Sequence, residues 1–182
     1  MDSAYLKVKR AEKHYAELAQ MFKKKKPFGY FLETNCKTGE RATFAKRNED
    51  VANEATVIIG DILHNLRAAI DHAYWNCTER HAKSDGERKS IQFPTSTETA
   101  LKDSVLTGIP SRVSTDFAHA LASLKPYRDG GNALLCAIHD LDVMDKHKLL
   151  VPTGNFTKIS SSMIQKLVPD FPSGLMNCGF GN

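Results

Sequence analysis

From about Asp50 to Arg80 the chain has no proline, and after Gly60 no glycine, while its apolar residues keep helical spacing. An uninterrupted stretch of this kind predicts one long helix, roughly 45 Å at a rise of 1.5 Å per residue, which serves as the spine of the fold. A chain of 182 residues buries about 70% of the surface its unfolded form exposes, so one core is enough. The expected architecture is mainly α: a single helical-bundle domain over residues 1–182, with a β-hairpin after the first helix and short strands near the C-terminus.

The rest of the chain fits around that spine. Tyr5, Val8, Ala11, Tyr15, Leu18, Ala19 and Phe22 recur at steps of three and four and predict an amphipathic helix over 3–24. It stops at Lys23-Lys24-Lys25-Lys26-Pro27, where the lysines suit a helix C-terminus and the proline forbids continuation. Residues 29–34 and 41–45 are β-prone, and Asn35 to Glu40 carry turn chemistry, so a hairpin joins them. Residues 82–111 read as loop-rich, with Ile91-Gln92-Phe93-Pro94 a short extended stretch packed on the core. Val113, Phe117, Leu121 and Leu124 predict one further helix; Leu134, Leu135, Ile138 and Leu141 predict another, ending near Asp145-Lys146-His147. Beyond 149 short strands and loops are expected. Gly179-Phe180-Gly181-Asn182 carries no recognisable cap, so the domain is expected to be cut short at its C-terminal end.

Composition narrows the class. Hydrophobic residues are 41% and charged residues 25% of the chain, which excludes collagen-like, coiled-coil and wholly disordered polypeptides. The net charge of +4 permits a nucleic-acid partner without requiring one. No apolar run approaches the ~20 residues of a membrane span, and the N-terminus lacks the basic-then-apolar order of a signal peptide, so no membrane association and a cytoplasmic location are expected. Cys36, Cys77, Cys136 and Cys178 are dispersed and read as reduced structural thiols. Glycine-rich phosphate loops and dinucleotide fingerprints are absent, which disfavours the common nucleotide hydrolases.

The chemistry concentrates on the long helix. Wound at ~100° per residue, Ile62, Leu63, Leu66, Ala69, Ile70, Ala73 and Cys77 fall on one side and predict the core face. Asp61, His64, Asn65, Arg67, Asp71, His72, Trp75 and Asn76 fall on the other. A solvated helix face is normally Lys, Glu and Gln, which favour helix; His, Asn, Asp and Trp are weaker formers, so something besides solubility accounts for them. One account is a buried polar network in which Arg67 and Asp71, at i and i+4, tie this helix to a neighbour. The other is a site. Asp140 to His147 ends the last strong helix, and its acids and histidine, brought against the long helix, would form an interhelical pocket.

Arg67-Ala68-Ala69-Ile70-Asp71-His72 resembles the motif of HEPN ribonucleases, helical proteins in which four to six residues separate an Arg from a following His. The wider run Gly60 to His72, with Gln92-Phe93-Pro94 and Asp145-Lys146-His147-Lys148-Leu149-Leu150, is similar to a group of bacterial proteins that carry no assigned activity, over most of residues 1–150. The HEPN resemblance implies a metal-independent, cofactor-free endoribonuclease, with RNA as partner and a homodimer as assembly. In it His72 moves the proton of the attacking 2′-hydroxyl and Arg67 stabilises the phosphate, while His64, Asn65, Asp71 and Trp75 orient His72 or contact RNA. Two other functions stand beside it. A helical-bundle hydrolase would bind metal through His64, Asp71 or His72, and His147, with Asp142 or Asp145 as a further ligand. A non-enzymatic protein would use the polar face for assembly or as a structural network.

Overall fold

The computed structural model describes residues 2–34, 36–39 and 41–147, with strand pairs at 158–159 and 178–179; the side chains of 41–43, of His147 and of those last strands lie outside the description. Helix α1 is Ser3–Lys24. Asp2 starts it, its Oδ1 accepting the Ala4 amide at 3.0 Å, and Lys23 and Lys24 occupy the last turn. The buried edge is Ala4, Ala11, His14 and Met21, whereas Tyr5, Val8 and Tyr15 are exposed. The helix is thus rotated from the predicted stripe, because alanines admit a close neighbour and the large, polar-tipped tyrosines do not need one.

Strands β1 (Phe28–Thr34) and β2 (Arg41–Arg47) form the expected hairpin, antiparallel from Phe28 opposite Arg47 to Thr34 opposite Arg41. Its turn contains Gly39 at φ +74°, a left-handed conformation that glycine adopts without Cβ strain. Its base is closed by the Asn48 amide donating to the Pro27 carbonyl at 2.9 Å.

Helix α2, Glu49–Thr78, is the predicted spine. Asn48 caps it, Glu49 and Asp50 fill the positive first turn, and no proline interrupts it. A 3₁₀ turn, Glu79–His81, ends it. The stretch read as loop-rich contains α3 (Asp85–Lys89), α4 (Glu98–Thr107) and α5 (Ile109–Val113), followed by α6 (Thr115–Ser123). Each start except that of α5 is set by a hydroxyl: Ser84, Thr97 and Ser114 accept the amides of Glu87, Ala100 and Phe117. Ser114 is extended and divides Val113 from Phe117, so they lie on different helices. Helix α7, Ala133–His147, ends as expected, although Leu134 on its predicted apolar line is exposed.

Contacts group the chain into two units, Met1–Leu18 with Val57–Val151, and Ala19–Thr56 with Pro152–Asn182. The first holds the main core of Tyr74, Phe93, Leu101, Val105, Ala118, Leu121 and Tyr127, against which Ile70, Ile91, Phe117 and Leu135 pack. Phe93 meets Tyr74 edge-on at 6.0 Å, as the extended packing of residues 91–94 requires. The second unit contains the hairpin, and within it β3 (Lys158–Ile159) pairs antiparallel with β4 (Cys178–Gly179). The other strands expected after 149, and the uncapped end, lie outside the described residues. Among the described residues no helix is long and apolar enough to cross a membrane.

Candidate functional site

The face assignment on α2 is corrected by the structure. Asn65 and Arg67, expected on the open side, are buried, while Leu63, Leu66 and Ile70 are only half-buried and Ala73 and Cys77 are exposed. The cause is a neighbour that helical spacing does not encode: residues 91–95 lie along the Arg67 edge and cover it.

Arg67 is the centre of that contact. Its Nε and Nη2 donate to Asp71 Oδ2 and Oδ1 at 3.1 and 2.9 Å, Nη2 also donates to the Phe93 carbonyl at 2.9 Å, and Nη1 donates to Thr95 Oγ1 at 3.2 Å. Asp71 Oδ1 in turn accepts the Phe93 amide at 2.8 Å. The guanidinium sits 6.0 Å from the Phe93 ring centroid. A planar, five-donor group is suited to this, because it can grip a carboxylate in a fork and satisfy an isolated carbonyl at the same time.

On the other side of Asp71 lies a cavity of about 460 Å³ lined by Ser3, Asp71, His72, Trp75, Asn76 and Ile91. Helical spacing places Asp71, His72, Trp75 and Asn76 on adjoining turns of α2. The start of α1 is held beside them by Asn76, whose Nδ2 donates to Asp2 Oδ1 at 3.3 Å. His72 Nδ1 is buried without a hydrogen-bond partner. Trp75 supplies an aromatic face and Ile91 an apolar one. Neither Lys nor Arg is in the lining, and the one negative group, Asp71, is paired with Arg67.

The remaining predicted residues are elsewhere. His64 Nδ1 is 3.1 Å from Asp142 Oδ1 on α7, and Lys146 Nζ holds the other oxygen of that buried carboxylate at 2.6 Å. Asn65 donates to the carbonyl of Asp61 at 2.8 Å, one turn back on its own helix. The expected approach of α7 to the polar margin of α2 is therefore present and is made by Asp142; the side chain of His147 lies outside the described residues. His64 and Asp71, about 10 Å apart along α2, serve different partners, and no cluster of three or more ligand-type side chains is found among the described residues. Near Arg67, burial chiefly, aided by the Arg67 charge, holds His139 below the usual imidazole pKa. Burial pushes the Cys136 thiol up, which keeps it protonated and inert.

Sequence reasoning did not anticipate Ser3, Ile91 or Thr95 at the site. Ile91 was legible as part of the extended stretch on the core, but Ser3 and Thr95 carry no local signal. Comparison with known protein families, with curated proteins and with solved structures finds no match.

Proposed function

We propose that the protein is a binding module whose cavity on α2 takes a small, flat, uncharged heteroaromatic group of the nucleobase or nucleoside kind. The observation that carries this is the lining: one tryptophan face, an isoleucine wall, and the hydrogen-bonding groups of Ser3, His72 and Asn76, with no Lys or Arg to receive a phosphate. Trp75 stacks on the ring, while Ser3, His72 and Asn76 supply hydrogen-bonding groups for its edge, Asn76 offering both donor and acceptor. Trp75 is the only tryptophan in the chain, so its fluorescence reports this cavity alone. Titration with adenosine and uridine is expected to give saturable quenching that His72→Ala and Asn76→Ala weaken; unchanged emission with both nucleosides overturns the reading.

A second reading, the metal-independent endoribonuclease, is favoured by His72 standing in the cavity beside Trp75. It would require Arg67 to leave Asp71, Phe93 and Thr95 for a phosphate, at the cost of unpairing a buried network. Its signature is RNA cleaved in the presence of chelator to a 2′,3′-cyclic phosphate, with cleavage lost in His72→Ala.

A further inference from the structure

The second unit carries a surface independent of that cavity. Residues 23–47 contain eight Lys and Arg against two Glu, a local charge of +6 in a chain whose total is +4, so the rest of the molecule is net acidic and the basic charge is concentrated around the hairpin. A solvated helix end accounts for lysines at the close of α1 but not for a hydrophobic strand left open beside them. Beyond Phe28, β1 is exposed along its whole length, which is unusual for a strand that carries large hydrophobic side chains on both faces. Tyr30 is 74% exposed, Leu32 59% and Phe31 45%. The register explains the two kinds of aromatic. Phe31 lies opposite Phe44 and stacks on it at 5.5 Å, whereas Tyr30 lies opposite Ala45, so no bulky cross-strand neighbour covers its ring.

We infer that this hairpin, with the lysine run that leads into it, is a docking surface for a single-stranded nucleic acid. Lys23 to Lys26 are exposed and match a polyanionic backbone, while Tyr30, with exposed Leu32 on the same face of the strand, presents an open ring on which a base stacks. Single strands fit because a base already paired in a duplex keeps its faces against its neighbours and has none to offer. Affinity arises from charge and stacking, so the surface tolerates different sequences.

The test uses the whole chain and a labelled, unstructured oligouridylate, followed by fluorescence anisotropy across a salt series. Binding is expected, with a slope of log K against log salt of about −3 if the four-lysine run engages four phosphates. Converting Lys23 to Lys26 to Gln should weaken binding by tenfold or more and flatten that slope. Tyr30→Ala should weaken it by about tenfold with the slope unchanged. Far-ultraviolet circular dichroism establishes that both variants are folded, which their exposure predicts. The lysine and Tyr30 substitutions should leave the nucleoside quenching of Trp75 unchanged, separating this surface from the cavity. Affinity unaltered in both the lysine and Tyr30 variants overturns the inference. So does equal affinity for duplex RNA, or preference for phosphatidylserine vesicles over the oligonucleotide.

Discussion

Arg67 shows how one side chain can be singled out by its type and misjudged by its direction. Its company of His64, Asn65 and Asp71 on a helix face departs from ordinary surface composition, and the i, i+4 pairing with Asp71 was legible as a tie. That the tie is to Phe93 and Thr95 was not, since those residues lie more than twenty positions downstream and carry no periodic signal. The geometry makes a definite energetic statement. Arg67→Ala takes the fork from the Asp71 carboxylate and the donor from the Phe93 carbonyl; because Asp71 keeps the Phe93 amide and is 31% exposed, the cost falls below that of a fully buried pair, at about 2–3 kcal/mol. Arg67→Lys retains the charge but not the fork, so it should recover only part of that loss. Urea denaturation decides the matter: a loss under about 1 kcal/mol for Arg67→Ala would show that the network does not hold the fold.

Among the elements, α2 and the hairpin were the most legible, because proline, glycine and turn residues mark their limits. Helix α4 was not, since only Leu101 and Val105 of its short span reach the core and two apolar positions do not establish a period. Those two are nonetheless the most buried aliphatic residues of the main cluster, at 1% and 0% exposure. Leu101→Ala should therefore cost about 2–5 kcal/mol, whereas Leu63→Ala on half-buried ground should cost roughly half as much; the reverse order in thermal or chemical denaturation would restore the face read from periodicity. The contact of α2 with α7 is checked separately. A Cβ on Gly60 would come within 2.7 Å of the Asp145 carboxylate. Gly60→Ala obliges that carboxylate to shift, so the gain in helix propensity, up to about 1 kcal/mol, should appear in full only when Asp145 is also Ala. Additive effects in that double-mutant cycle would mean that the two residues do not meet.

For the molecule as a whole, the mainly helical class was legible from the spine, but which stretches gather into each unit was not, since that depends on contacts between distant segments. Acid sensitivity is also a property at this scale. His139 faces Arg67, Arg128, Asp140 and Asp142, and its folded pKa lies below the ordinary 6.5. The unfolded chain therefore binds the proton first, so this residue's stabilising contribution is complete above about pH 6.5 and declines as acid brings the pH down towards the folded value. Replacing His139 with Gln should flatten the acidic limb of a stability–pH curve; an unchanged limb would show that other groups set it. The Phe93 amide has a different consequence. It belongs to a segment without helix or sheet, yet it is buried and donates to a carboxylate anchored on the longest helix. Its deuterium uptake should track the opening of α2 rather than that of its own neighbours, so residue 93 should exchange slowly between faster-exchanging flanks. An isolated slow amide of that kind would place the wall of the cavity and the spine in one cooperative unfolding unit.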